Sequence, residues 1–159
     1  MPVPEAPSKP RLSWGAIAPQ AEQAMRGLEA YVAGSGLDPA LLELVKVRVS
    51  QMNRCAFFLD MHTKVARSRG EKEERLYAVS AWAEALLYSE EERVALAWAE
   101  ALTRIEEGVD DSLYEGVLDR FGPEKTVALT AAVIAINAWN RWSIALRPSL
   151  PGSFEVRPA

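Results

Sequence analysis

The sequence holds one cysteine and one histidine, and each shortage excludes something. A single cysteine, Cys55, cannot close an internal disulfide. A disulfide-stapled secreted fold is therefore excluded, and a reducing cytoplasm is the expected compartment. One Cys and one His fall short of the ligand set of a structural zinc site. There is no Gly-rich phosphate loop and no paired-histidine spacing, so neither metal nor cofactor is expected. No apolar run approaches the roughly 20 residues that span a bilayer, so no membrane partner is expected. The net charge is -4 with both signs interspersed. That leaves no clustered basic face for a nucleic acid. Pro2, Pro4, Pro7 and Pro10 stand where an export signal would carry its apolar core.

What is present suits one globular domain. At 159 residues, folding can bury roughly 70% of the unfolded surface, enough for a core without staples. The apolar share is 49%, an ordinary value for such a domain. Residues 1–13 read as a flexible, Pro-rich arm that either lies along a partner subunit or extends into solvent. The domain proper is expected over 14–154, with 155–159 as a tail.

Helical signals recur along that domain, and no strand pattern competes with them. A helix from about Pro19 to Val32 is broken by Gly34-Ser35-Gly36. Asp38-Pro39 combines an N-cap with a first-turn proline and opens a second helix. Its apolar face is Leu41, Leu42, Val45, Val49 and Met52. Asn53-Arg54 is the joint to a third helix, from about Cys55 to Ser68. A fourth, shorter helix is expected over Arg75 to Ala85. Ser89 and Glu92 form a capping box for the next one, which Gly108 ends. Asp110 or Asp111 caps a further helix up to Phe121, and Gly122-Pro123 interrupts the chain. The last helix, Glu124 to Leu146, is nearly uncharged between Thr126 and Asn140. A helix that apolar is buried on most sides, which in a short chain implies a second subunit. The fold class is thus an all-α helical bundle, oligomeric.

The residues able to do chemistry cluster between Glu43 and His62. With Cys55 near the start of a helix, Phe58 at i+3 and His62 at i+7 share its face. The positive end of a helix dipole favours a thiolate in the first turn. An imidazole two turns along can reach such a thiol directly or through water. Glu43 on the preceding helix can orient that imidazole if the two helices pack antiparallel. Each residue also has a plainer role. A free cysteine is usually an inert buried apolar group. A histidine can be a hydrogen-bonded core residue, and Glu43 can simply pair with Lys46 or Arg48. Phe58, Arg48, Ser50 and Asn53 are the candidate substrate-pocket residues.

The spacing of Glu43, Cys55, position 58 and His62 resembles the signature of the alkyl hydroperoxidase D-like and carboxymuconolactone decarboxylase family, in its peroxidase branch. Asp60-Met-His62-Thr-Lys64, Leu96-Ala-Trp-Ala-Glu100 and Ala135-Ile-Asn-Ala-Trp-Asn-Arg141 resemble it as well. The resemblance covers about Trp14 to Phe154. It implies an all-helical domain assembled as a homotrimer or homohexamer. It also implies a catalytic set of Cys55, His62 and Glu43. The peroxidase pattern has Cys-x-x-Cys, and here Phe58 occupies the second cysteine's place. The position matching Phe58 is the one usually assigned the attack on peroxide, and Cys55 matches the resolving cysteine. The dithiol mechanism therefore cannot operate in this chain.

Three functions remain open on the sequence. In the first, which the resemblance to the peroxidase branch puts foremost, the chain is an antioxidant oxidoreductase: a single-cysteine thiol peroxidase that attacks a hydroperoxide with Cys55, with His62 as base or acid and Glu43 orienting it, and that needs an external thiol reductant. In the second, His62 is a general acid/base on a small organic acid, as in the decarboxylase and lactone-acting members, with Arg48 or Arg54 anchoring the carboxylate. In the third, the fold is an oligomeric binding module with a decayed site, and Phe57, Phe58, Trp82 and Trp98 line an apolar pocket.

Overall fold

A computed structural model describes residues 1–157. The proposed tail at 155–159 therefore lies partly outside the described residues. Among those described there are seven α-helices and no strand. They are α1 (Trp14–Ile17), α2 (Pro19–Ala33), α3 (Pro39–Met52), α4 (Ala56–Ser68), α5 (Glu73–Ala78), α6 (Glu90–Thr103) and α7 (Asp111–Leu146). Short 3₁₀ turns follow α5 at Val79–Ala81 and α6 at Ile105–Glu107.

Local chemistry sets most boundaries. Asp38 accepts the Ala40 amide at 3.0 Å and starts α3. The Ser89 hydroxyl and the Glu92 carboxylate satisfy each other's backbone N–H groups at the start of α6. Asp110 is the N-cap of α7 by backbone geometry, without a side-chain cap bond. Gly122 interrupts α7 at φ 72°, ψ 168°, a region essentially reserved for glycine. A Cβ there would meet no atom within 4 Å, so a substitution is penalised through the backbone alone. Gly122→Ala is expected to cost about 1–3 kcal/mol. Urea unfolding with an unchanged m-value checks this.

Several boundaries differ from the sequence reading: α1 has no counterpart in it, and α5 starts at Glu73 rather than Arg75. The helix expected over 75–85 ends at Ala78: the chain tightens into a 3₁₀ turn at Val79–Ala81 and then into single turns, and the Arg93 guanidinium caps the carbonyls of Trp82, Ala83 and Ala85. Helix α6 ends at Thr103, and Gly108, at φ 79°, instead closes the 3₁₀ turn. The arm is anchored at its inner end: Arg11 and Leu12 donate backbone bonds of 2.9 Å to the carbonyls of Arg147 and Leu146. These are carbonyls a helix C-terminus would otherwise leave unpaired. Residues 1–10 are exposed.

Helix α3 is the interior element, packed against α4, α6 and α7. On one side Leu41, Leu42, Val45 and Val49 meet Trp98, Ala99, Val117, Leu129, Val133 and Ile136. On the other, Leu44 and Val47 meet Ala66, Leu76, Val79, Tyr88 and Leu96. This two-sided burial fixes the rotation of α3 and so the direction of its polar residues. The alanines of α7 lie in this core, while Val127, Ile134 and Ile144 on its outer face are about half exposed. No helix among the described residues is long and apolar enough to cross a membrane.

Candidate functional site

Helices α3 and α4 are joined by a tight turn, with Arg54 at φ 53° and the Cys55 amide bonded to the Ser50 carbonyl at 2.9 Å. The turn sends α4 back along α3. Glu43 and His62, nineteen positions apart, meet in the resulting seam. His62 Nδ1 lies 2.8 Å from Glu43 Oε2, and both residues are buried. The second carboxylate oxygen, Oε1, accepts a bond of 3.1 Å from the Arg69 guanidinium.

Burial by itself pushes the Glu43 carboxyl upward. The hydrogen bond and charge of His62, with the charges of Lys46 and Arg69, outweigh that and hold it below the ordinary carboxylate range. Glu43 is therefore a carboxylate at neutral pH, and it accepts. That makes Nδ1 the donor and leaves Nε2 as the nitrogen without a protein partner. Nδ1 is the only His62 nitrogen that bonds to a described residue. No buried side-chain nitrogen or oxygen lacks a partner among the described residues, so Nε2 is open to the hollow that His62 lines.

That hollow has a volume of about 480 Å³. Its apolar walls include Phe57, Phe58, Met61 and Trp139, and its charged lining is Arg26, Lys46 and Arg69 against Glu29 and Glu43, a net positive set. The Phe58 ring lies over the His62 ring, with centroids 5.8 Å apart and planes 22° apart. Lys46 pairs with Glu29 at 3.2 Å. Phe154 closes one side, its carbonyl held by Lys64 Nζ at 2.8 Å.

Cys55 is placed differently from the sequence reading. It is the N-cap of α4 rather than a first-turn residue, its side chain caps nothing, and it is 1% exposed. It does not line the hollow. Phe58, one turn along, occupies the space between α4 and Trp139, with ring centroids 6.1 Å apart. Three other candidates also lie elsewhere. Arg48 pairs with Glu100 on α6 at 2.7 Å. Ser50 is fully buried and accepts a 3.2 Å bond from Asn140. Asn53 donates to Asn137 and Asn140, both at 2.9 Å. These three hold the α3–α4 turn to α6 and α7 and do not line the hollow. Arg54 is exposed and also lies outside it.

The four aromatics expected in one apolar pocket are split. Phe57 and Phe58 line the hollow, whereas the Trp82 indole bonds to Glu100 and the Trp98 indole to Thr130. Arg69, Lys46 and Trp139 were not read from the sequence as site residues. A spacing signal existed for two of them: Arg69 follows His62 by seven residues, and Lys46 follows Glu43 by three. Among the described residues no group of three His, Cys, Asp or Glu is placed to hold a metal.

The profile of the carboxymuconolactone decarboxylase family matches residues 19–101. The uncharacterized protein YdfG of Bacillus subtilis is 44% identical over 137 residues, which is 86% of this chain and 93% of that one. A crystal structure from Agrobacterium tumefaciens, of a protein of unknown function suggested to be the antioxidant defence protein AhpD, superposes with TM-score 0.84. It is 39% identical and covers 90% of this chain and 99% of its own. A peroxidase-related protein from Silicibacter sp. TM1040 shares the fold at TM-score 0.76 with 20% identity, covering 87% of this chain and 73% of its own.

Proposed function

The chain belongs to the carboxymuconolactone decarboxylase family and has the alkyl hydroperoxidase D-like all-helical fold, and within that family we propose that it is a proton-transfer enzyme acting on a small unsaturated carboxylic acid. The observation that carries this reading is the His62 imidazole, tied through Nδ1 to Glu43 with Nε2 open to a net positive, aromatic-walled hollow. Arg26, Lys46 and Arg69 attract the substrate carboxylate to the hollow. Phe58 and Trp139 hold its conjugated body and exclude water. The carbon–carboxylate bond breaks, carbon dioxide leaves, and the electron pair remains on the conjugated carbon. His62, first charged at Nε2 by a proton from solvent and held in that form by Glu43, delivers the proton from Nε2 to that carbon and is left neutral. Lactone-acting chemistry uses the same proton relay.

The test is a thermal-shift and turnover screen of small aromatic and unsaturated acids with wild type and Cys55→Ser. Saturable stabilisation by at least one acid, and turnover untouched by Cys55→Ser, are expected. No stabilisation by any acid would sink the reading.

A second reading is favoured by the 39% identical Agrobacterium protein suggested to serve antioxidant defence. It makes Cys55 a single-cysteine peroxidase: the thiol and a hydroperoxide give a sulfenic acid and an alcohol. Two molecules of an external thiol then return the cysteine, with one disulfide and one water released. The burial of Cys55 and its absence from the hollow weigh against it. Hydroperoxide consumption that is equal in wild type and Cys55→Ser eliminates it.

Assembly as a homotrimer or homohexamer belongs to the same proposal. The outer face of α7, with Val127, Ile134 and Ile144 exposed beside a shallow apolar depression containing Leu102 and Ile105, is the contact surface. Ile134→Asp is expected to shift sedimentation toward the monomer without loss of helix content. An unchanged sedimentation coefficient would show that this face is free.

A further inference from the structure

A second hollow, of about 360 Å³, shares Phe57, Phe58 and Trp139 with the His62 hollow as a common wall. Its remaining lining is dominated by Trp14 and Trp142, whose rings stack with centroids 4.2 Å apart and planes 13° apart. Trp14 also meets Trp139 at 5.9 Å. Three of the chain's five tryptophans thus surround one space that the proton-transfer reading leaves unused. The common wall is partly exposed: Phe57, Phe58 and Trp139 are half-buried rather than buried. One ion pair crosses it, because Glu22 lines the tryptophan hollow and its partner Arg26 lines the His62 hollow. Arg26 is largely exposed, so its guanidinium can turn from Glu22 to a bound anion.

We infer that the two hollows form one bipartite site for an elongated planar carboxylic acid, its fused or extended ring system against Trp14, Trp139 and Trp142 and its carboxylate beside Arg26 and His62. The inference rests on the proton-transfer reading for what happens at the carboxylate end. Indole faces and edges suit a flat conjugated ring, and such a ring loses little freedom on binding. Its carboxylate does not suit the tryptophan hollow, where Glu22 would repel it. The charges therefore fix one orientation. Phe58 then acts as the ridge over which the ligand lies, contacting it from both sides. A cysteine there would lower that ridge.

The experiment uses the full chain with 2-naphthoate and benzoate. Tryptophan fluorescence reports the tryptophan hollow. The imidazole NMR signal reports His62 unambiguously, because His62 is the only histidine. 2-Naphthoate is expected to quench the fluorescence and shift the His62 signal along one binding curve. Benzoate is expected to shift His62 with little quenching. Trp142→Leu should weaken 2-naphthoate by about tenfold, the scale of losing one buried aromatic contact, and leave benzoate unchanged. Ala16→Phe, at an exposed position lining the tryptophan hollow, should do the same without disturbing the core. If benzoate shifts His62 but 2-naphthoate moves only one reporter, or if neither variant alters its affinity, the bipartite site is overturned and the proton-transfer reading stands. If neither anion shifts His62, the proton-transfer reading falls, and the inference falls with it.

Discussion

Replacing His62 by Asn is expected to lower turnover of the organic-acid substrate by about 10²–10⁴-fold, the usual contribution of one positioned acid/base group. Asn can still present a polar group toward Glu43 but has no second ring nitrogen to carry the proton. Substrate affinity should change little, since Arg26, Lys46, Arg69, Phe58 and Trp139 remain in place. The loss therefore falls on kcat rather than KM. Cys55→Ser in the same assay should leave both parameters near wild type. The opposite pattern, an intact His62→Asn enzyme and a dead Cys55→Ser enzyme, would transfer the chemistry to the thiol. A drop confined to KM would make His62 a binding group only.

The parts of this molecule that were legible in the sequence are those set by short-range chemistry. Asp38-Pro39 and Ser89 with Glu92 announce two helix starts, because a cap needs only residues within one turn of it. Gly122-Pro123 announces a break for the same reason. The end of α5 was illegible because the turns that replace its last residues are held from outside the segment, by Arg93 of α6 on the carbonyls of Trp82, Ala83 and Ala85. Glu43 and His62 were legible as a pair only on the premise of antiparallel packing and through the family's spacing, since their contact depends on the angle at which α4 folds back over α3.

The pocket candidates show how a linear stretch misleads. At 3.6 residues per turn, Arg48 lies about 140° around α3 from Glu43, so it faces Glu100 on α6. Ser50 is on the same side as Glu43, yet it is two turns further on and covered by Asn140. The actual walls come from distant segments: Trp139 from α7, Phe154 from the C-terminal segment, and Arg26 from α2. No local pattern could have gathered them. Phe58 was legible as a substitution that removes the dithiol chemistry and sets a bulky ring beside His62, but not as a wall shared by two hollows. Its ring takes the space beside His62 and separates the two hollows, so the change of one residue alters both the available chemistry and the shape of the site.

Glu43→Gln should destabilise the protein by about 2–3 kcal/mol at neutral pH, because it leaves a buried imidazole and a guanidinium facing a neutral amide. The penalty should itself depend on pH. The Glu43 carboxyl is held below its ordinary value of 4.5 in the folded protein by His62, Lys46 and Arg69 against the opposing effect of burial. A carboxylate depressed in the folded state contributes its full stabilisation above the unfolded pKa. That contribution disappears as the pH falls through the folded value, because the folded state must then take up a proton it resists. The difference between wild type and Glu43→Gln should accordingly shrink as the pH falls below about 4.5 and level off once Glu43 is protonated. Glu92 is also held low, since its bonds to Arg75 and Ser89 outweigh its burial. Both proteins will therefore lose stability in acid, and only the difference between them isolates Glu43. Urea unfolding at a series of pH values from 7 to 3 measures it. A difference that stays flat across the whole range would mean that Glu43 is not held as a carboxylate by its neighbours, and the assignment of Nδ1 as donor and Nε2 as the reactive nitrogen would fail with it.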